Sequence, residues 1–150
     1  MDAVHALRNE HETLRQQLDL LELELRHSSE LGRPIQELCH SIRRLLDAHV
    51  REEEPVVSPY THRIVRALRQ RVDHADEQAL LSGVDATLSA HIELPASVIV
   101  QRLDRAMGAL RTHMAIEERE VFPVVEQAEA ERSGDRAAGE PHVPGDGDGR

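Results

Sequence analysis

One motif occurs twice in this sequence. His49 and Glu53 are four residues apart, and His113 and Glu117 repeat that spacing 64 positions later. Residues four apart lie on one face of an α-helix, about one turn apart, so each pair can present an imidazole and a carboxylate to one metal ion. Each copy also has a leucine three residues before the histidine, and a proline ten residues after it that is expected to end the helical segment (Leu46 and Pro59; Leu110 and Pro123). This matched pair indicates a metal site.

The composition predicts an all-α protein. Leu, Ala, Glu and Arg dominate the 150 residues, aromatic residues make up 1% and Trp is absent, which favours helices over strands. The length allows one domain with a sizeable core. The single cysteine, Cys39, excludes an internal disulfide and a cysteine-based zinc site. Any metal must therefore be held by nitrogen and oxygen ligands.

The charge and hydropathy patterns exclude several partners. With a net charge of -10, the chain would be repelled by nucleic acid phosphates, and it has no basic recognition motif. No apolar run approaches the roughly 20 residues that a bilayer crossing requires, and the N-terminus is too polar for a signal peptide. We expect a soluble, cytoplasmic protein that binds neither nucleic acid nor membrane.

Apolar residues recur at steps of three and four along four segments, as on one face of an α-helix. The first predicted helix covers residues 2–27. The second begins at Pro34 and is ended by Pro55 and Pro59, the third begins near Thr61, and the fourth follows a loop at 91–95. The predicted buried stripes are Val4, Leu7, His11, Leu14, Leu18, Leu21 and Leu25; Ile35, Leu38, Ile42, Leu45, His49 and Val56; Ile64, Ala67, His74, Glu77, Leu81, Val84 and Leu88; and Ile99, Leu103, Ala106, Leu110, His113 and Glu117.

These four helices predict an up-down-up-down antiparallel four-helix bundle over residues 1–132. The remaining residues, 133–150, are rich in Gly, Pro and Asp. Such a segment cannot bury enough apolar surface to fold, so we expect a disordered acidic tail there.

Histidines interrupt each apolar stripe, and their depths in such a bundle match. His11 lies about 16 residues before the end of the first helix, and His49 about 15 residues after the start of the second, so they are at similar distances from the shared turn. His74 and His113 are each about 17 residues from the loop before the fourth helix. All four imidazoles are therefore expected in one layer.

A layer that also contains Glu53 and Glu117 would bury six ionisable groups among leucines. Leaving them unpaired would cost several kcal/mol each, by the usual penalty for buried polar groups, and a cation removes that penalty. Six nitrogen and oxygen ligands exceed what one ion normally uses, so two ions bridged by the carboxylates fit the count, and imidazole with carboxylate suits iron, manganese or zinc.

These residues resemble the hemerythrin-like family, also called the HHE cation-binding domain. The resemblance covers about residues 2–127 and implies a four-helix bundle with two non-haem iron ions, oxo- or hydroxo-bridged. The motifs that carry it are His11-Glu12, His49-x-x-x-Glu53-Glu54, His74 and His113-x-x-x-Glu117-Glu118-x-x-x-Phe122-Pro123. It implies that His11, His49, His74 and His113 are terminal ligands and that Glu53 and Glu117 bridge the ions.

The sequence departs from the oxygen-carrying hemerythrins in the third helix. Those proteins have two histidines four apart, whereas this chain has His74 and Gln78. One imidazole fewer leaves an iron more open to another ligand. Glu77, Gln78 or Tyr60 could complete the coordination, and Glu118 could bridge in place of Glu117. Glu54 and Glu118 are otherwise expected to lie at the surface or to orient histidines.

An iron pair in a leucine-lined pocket can bind O2, NO or peroxide at an open position. The expected function is therefore to bind, sense or reduce such a ligand, and the resemblance implies a role in redox or stress responses with a separate electron donor or regulatory protein. The alternatives are a peroxidase or NO reductase, a mononuclear iron or zinc protein, and a metal-free helical interaction module. Zinc protease, ferritin-like, hydrolase and kinase motifs are absent from the sequence.

Overall fold

The computed structural model describes residues 2–28, 30–65, 74–89 and 94–138. Every regular element in these ranges is helical, and the elements form four rods, which confirms the predicted all-α, four-helix class. The rods are α1 (Ala3–His27), α2 (Arg33–Val57) with a following 3-10 helix (Ser58–Arg63), α3 (Ala75–Ser89), and α4 (Ala96–Ile116), which continues through a π turn (Glu117–Val121) into α5 (Phe122–Ala138).

Local sequence signals explain where the first two helices begin. The side chain of Asp2 accepts a hydrogen bond from the backbone N–H of Val4 at 3.1 Å and so satisfies an otherwise free donor of α1. α2 follows Gly32 in extended conformation, with Pro34 in its first turn, where the missing N–H costs nothing. The predicted starts of these helices are thus confirmed.

Two apolar clusters form the core, and they lie at different levels of the rods. The larger cluster takes residues from α1, α2, α3 and α4, including Leu18, Ile42 and Leu103, each with no exposed surface. The smaller cluster combines the start of α1 with the 3-10 helix, the π turn and α5. Its buried members are Val4, Leu7, Tyr60, Ile64, Val121, Phe122, Val125 and Ala128. Along α1 and α2, the predicted histidines His11 and His49 lie between the residues of the two clusters.

Contacts between the rods show the relative direction of two helix pairs. As residue numbers increase along α1, the residue numbers of their ionic partners on the last rod decrease: the pairs are Arg8–Glu126, Arg15–Glu118 and Asp19–Arg111. Polar contacts between α2 and α3, including the residue before α3, follow the same order: the pairs are Arg43–Asp85, Asp47–Gln78 and Glu53–His74. Each pair is antiparallel, while the up-down order of all four rods stays a prediction.

Of the helix ends predicted from prolines, one is confirmed and one is wrong. Pro55 lies inside α2, but this helix ends at Val57, between Pro55 and Pro59. Pro123 lies at the start of α5 rather than at the end of a helix. Proline cannot donate to the preceding turn and its ring crowds that turn's carbonyl, and at Pro123 the wider π turn immediately before it accommodates this defect.

The third helix and the tail also differ from their predicted limits. Thr61 lies in the 3-10 helix, where its hydroxyl donates to the carbonyl of Ser58 at 2.7 Å, a local bond that competes with an α-helix. α3 begins at Ala75, and residues 66–73 lie outside the described residues. The last rod continues to Ala138, beyond the predicted limit at 132, and the rest of the predicted tail also lies outside the described residues.

In α2, two of the buried positions lie one residue later in the sequence than predicted. Cys39 and Leu46 are buried, with 1% exposure each, whereas Leu38 and Leu45 are only partly buried. Spacing alone allowed either set, since neighbouring positions both border the core. Burial raises the pKa of the Cys39 thiol to about 12, as expected for a thiol that packs in the core. None of the helices in the described residues is long and apolar enough to span a membrane.

Burial in the larger cluster predicts the effect of truncating a leucine. Leu18→Ala removes a fully buried side chain and should lower the free energy of unfolding by about 2–5 kcal/mol. Leu20 on the same helix is 47% exposed, so Leu20→Ala should change it by less than about 0.5 kcal/mol. Urea unfolding of the two variants measures both values, and equal losses would contradict this packing of α1.

Candidate metal centre

The structure brings the six predicted site residues together between the two apolar clusters. His11 and Glu117 have no exposed side-chain surface, and His49, His113, Glu53 and His74 retain at most 10%. His11 comes from α1, His49 and Glu53 from α2, His74 from the residue before α3, and His113 and Glu117 from the last rod. All four helical rods therefore meet at one polar layer.

The imidazoles form two pairs. The Nε2 atoms of His11 and His49 lie 3.1 Å apart, and the ring centroids of His74 and His113 lie 4.0 Å apart. The rings of His49 and His74, one from each pair, have centroids 5.7 Å apart. The four rings therefore form one continuous group that consists of two pairs, His11–His49 and His74–His113.

Glu117 lies between the two imidazole pairs, with one carboxylate oxygen directed to each. Its Oε2 is 3.0 Å from His11 Nε2 and 3.8 Å from His49 Nε2. Its Oε1 is 2.6 Å from His113 Nε2 and 3.3 Å from His74 Nε2. A carboxylate in this position can serve two cations at once.

Glu53 also contacts both halves. Its Oε2 lies 3.7 Å from His49 Nε2 and 3.3 Å from His74 Nε2, one histidine of each pair. Ligand atoms of His49, Glu53, His74 and Glu117 all lie within 4.8 Å of one another, so a cation between them would contact several at once. The two glutamates of the repeated motif thus face each other across the centre.

On the α1 side, a chain of contacts fixes the orientation of His11. Its Nδ1 atom donates to Glu118 Oε1 at 2.9 Å, and the other oxygen of Glu118 is 2.9 Å from Arg15. Burial alone would raise the pKa of Glu118, but the hydrogen bonds from Arg15 and then His11 lower it below its ordinary value. A carboxylate bound to Nδ1 leaves Nε2 free to face the centre.

Two other histidines have a carboxylate on their outer nitrogen. His49 Nδ1 donates to Glu10 Oε2 at 2.7 Å, and His113 Nδ1 is 3.6 Å from Glu77 Oε1. A hydrogen bond such as the one from His49 fixes the tautomer and ring orientation of a metal-binding histidine and raises its basicity. Glu77, a candidate ligand in the sequence, therefore lies at the outer edge of the His113 ring.

Two residues considered as additional ligands make other contacts. The side-chain amide of Gln78 donates to Asp47 at 3.0 Å on the α2 side. The hydroxyl of Tyr60 accepts from Arg132 at 3.1 Å in the smaller apolar cluster. The structure thus gives both polar groups a partner away from the six central residues.

The π turn allows the last rod to serve both the centre and the core. In a regular α-helix, residues five apart are rotated by about 140° relative to each other, so Glu117 and Phe122 would face different ways. The N–H of Phe122 instead bonds to the carbonyl of Glu117, five residues back. Both side chains are fully buried, and the Phe122 ring stacks on His11 with centroids 5.2 Å apart.

The charge distribution of the metal-free centre is uneven. Burial alone would raise the pKa of Glu117, but hydrogen bonds with His11, His113 and His49 lower it well below its ordinary value. Burial alone would lower the pKa of His113, but Glu117 raises it overall. The same balance raises the pKa of His49. Glu117 is thus ionised at the middle of the imidazoles.

The pKa values of Glu53 and His74 shift in the direction that favours their neutral forms. Burial, and then the charge of Glu117, raise the pKa of Glu53 to about 9. Burial, and then the charge of His113, lower the pKa of His74 to about 4. At neutral pH the metal-free centre therefore has a protonated Glu53 beside an uncharged His74.

The residues fit a bound cation. Within the described part of the chain, His74 Nε2 is buried without a hydrogen-bond partner and faces the carboxylates of Glu53 and Glu117. Such orphaned atoms cost free energy unless a partner is present. Imidazole nitrogens and carboxylate oxygens, with no thiolate among them, are the ligands of non-haem iron, manganese and zinc.

Comparison with known families agrees with this geometry. The hemerythrin HHE cation binding domain matches residues 2–125. The chain belongs to this family. Neither the curated proteins nor the solved structures give a significant match. Family membership confirms the resemblance found in the sequence and supports metal binding, with iron as the expected metal.

Sequence reasoning missed two residues around the centre. Glu10 bonds to His49 and Arg15 bonds to Glu118, but neither contact is local in sequence, and both depend on how α1 rotates toward its neighbours. Glu118, by contrast, was predicted to orient a histidine, and it contacts His11. Of the six histidines outside the centre, His5, His27, His40 and His62 are exposed, and His91 and His142 lie outside the described residues.

The contact between Glu118 and His11 predicts a loss of metal affinity without loss of fold. Glu118→Ala should weaken metal binding about 10–100-fold, because His11 loses the carboxylate that orients it. Glu120→Ala, in the same π turn, removes a carboxylate whose described contact is with Arg119 and should leave the affinity unchanged. Competition with a coloured chelator measures both. Equal affinities in the two variants would contradict the orienting role.

The raised pKa of Glu53 predicts proton release on metal binding. A carboxylate must be ionised to coordinate, so at pH 7 the metal displaces a proton from Glu53, whereas above a pH of about 9 it is already ionised and this proton is no longer released. Calorimetry of metal binding in buffers of different ionisation enthalpy counts the protons. In Glu53→Gln the count at pH 7 should fall by about one, and an unchanged count would refute the assignment.

Proposed function

We propose that this protein is a non-haem di-iron protein that binds or reduces a small oxidant or gas such as O2, NO or peroxide. The observation that carries the proposal is the position of Glu117, which directs one oxygen to the His11–His49 pair and the other to the His74–His113 pair. One buried carboxylate serving two sets of imidazoles matches the requirements of two metal ions better than those of one.

In the proposed assignment each imidazole pair holds one iron. His11 and His49 would hold the first, His74 and His113 the second, with Glu117 between them. Glu53 would join them from the α2 side, since its Oε2 contacts one histidine of each pair. This set gives each iron two imidazoles and the two shared carboxylates, and Gln78 adds no ligand because it is directed to Asp47.

An iron pair supplies electrons to a small oxidant bound at an open coordination position. The chain supplies the surroundings. Leu14 and Leu46 belong to the larger cluster on one side of the polar layer, and Phe122 belongs to the smaller cluster on the other, all at most 1% exposed. These walls exclude bulk water and strengthen electrostatic interactions inside. The surroundings thus favour a small ligand over a bulky organic substrate.

Metal analysis of the aerobically purified full chain tests the proposal. We expect two iron ions per chain and strong near-ultraviolet charge-transfer absorption from a ferric pair. Glu117→Ala should lose iron and absorption together, because it removes the carboxylate shared by both halves. His5→Ala is the matched control: His5 is exposed on the same helix as His11, so its loss should change neither.

Two outcomes would overturn the proposal. A protein with one iron, or with zinc alone under iron-replete expression, would contradict the iron pair. Circular dichroism of the metal-free Glu117→Ala protein shows separately whether the helices persist, so that loss of iron is not confused with unfolding. With two irons bound, catalytic loss of NO or peroxide under a reductant identifies an enzyme, and a stable reversible adduct identifies a carrier or sensor.

A further inference from the structure

The centre is not equally shielded on all sides. The side chains of His11, Glu117, His49 and His113 are between 0% and 2% exposed. Glu53 retains 9% and His74 retains 10%. Among the described residues of the centre, the edge formed by Glu53 and His74 is therefore the side nearest solvent.

A groove of about 250 Å³ borders this edge. It lies between the end of α2, the 3-10 helix and the residue before α3, and both Glu53 and His74 contribute to its lining. The other lining residues are Val50, Glu54, Val57, Ser58 and Thr61. The groove and the centre thus share two residues, one of them with a buried nitrogen, His74 Nε2, that has no hydrogen-bond partner.

A second, smaller groove borders His49, and the hydrogen-bonded ring of this histidine separates the groove from the centre. It has a volume of about 130 Å³ and is lined by Glu10, Thr13, Leu45, Ala48, His49 and Glu52. His49 presents its outer nitrogen there, hydrogen-bonded to Glu10, and is only 1% exposed. A ligand in this groove would meet the back of the ring rather than the central atoms.

The lining of the first groove selects by size and charge. Val50 and Val57 are apolar, while Ser58 and Thr61 add hydroxyl groups without charge. The carboxylate of Glu54 lines the same groove, and the whole chain has a net charge of -10. Negative charge beside a groove repels anions, so this groove favours a small uncharged molecule.

We propose that this groove is the entry route by which a small uncharged oxidant or gas reaches the His74–Glu53 edge of the centre, with Val57 setting its width. The inference rests on the proposed function and adds to it the side of approach.

Opposite changes at Val57 test the route in the iron-loaded protein. Stopped-flow measurement of NO association should show a rate about tenfold lower in Val57→Phe and a rate higher than wild type in Val57→Ala, because the groove is narrowed or widened. Ala48→Phe places the same ring in the second groove and should leave the rate unchanged. Iron per chain, measured for each variant, shows that the centre is intact.

A metal-free measurement tests the groove independently. Dissolved O2 is paramagnetic and speeds the relaxation of methyl protons near which it resides. In the metal-free protein we expect this effect at the Val50 methyls, and we expect it to fall in Val57→Phe while the Leu45 methyls of the second groove are unaffected. No change at Val50 would overturn the proposed route.

The two measurements separate the inference from the proposed function. If the chain holds no iron pair or forms no NO adduct, the proposed function fails, and the O2 relaxation still decides whether the groove admits a small molecule. If the adduct forms at the same rate in wild type, Val57→Phe and Val57→Ala, the proposed function stands and the entry route is wrong. An effect of Ala48→Phe in place of Val57→Phe would assign entry to the second groove.

Discussion

One buried carboxylate constrains the rest of this structure. Glu117 has no exposed surface, and an ionised carboxylate in a leucine-lined interior is costly unless charged or hydrogen-bonding groups surround it. Its partners, His11, His49 and His113, come from three different rods. Each rod must therefore reach the centre at one fixed depth and rotation. A shift of α1 by one residue would remove His11 from Glu117 and leave the charge short of a donor.

The charges around Glu117 are arranged in successive layers. Imidazoles contact it directly, and outside them carboxylates contact the outer nitrogens of the rings, as Glu118 does for His11 and Glu10 for His49. Arg15 then contacts Glu118 near the surface. Because charges alternate from the interior outward, each group has a neighbour of opposite sign. A metal cation would bind the imidazoles in their neutral form and replace their protons as the positive charge beside Glu117. The acidic balance of the chain thus reflects in part how its histidines are oriented.

The sequence predicted the centre better than its surroundings. The paired His–Glu spacing and the equal distances of His11 and His49 from their shared turn placed four imidazoles in one layer, since both arguments use only the rise and period of a helix. Glu10 was beyond such reasoning. It neighbours His11 in sequence but bonds to His49 across the interface of α1 and α2, and only the rotation of one helix against the other decides that contact.

The π turn marks where helical periodicity fails as a guide. The centre requires Glu117 to face inward, and the smaller apolar cluster requires the same of Phe122, five residues later. A regular helix cannot satisfy both, because five residues correspond to about one and two-fifths turns. In the sequence, Pro123 indicates a helix end because proline cannot donate a hydrogen bond to the preceding turn. In the structure the π turn accommodates it, so the feature that suggested an end instead lets one rod serve both the centre and the core.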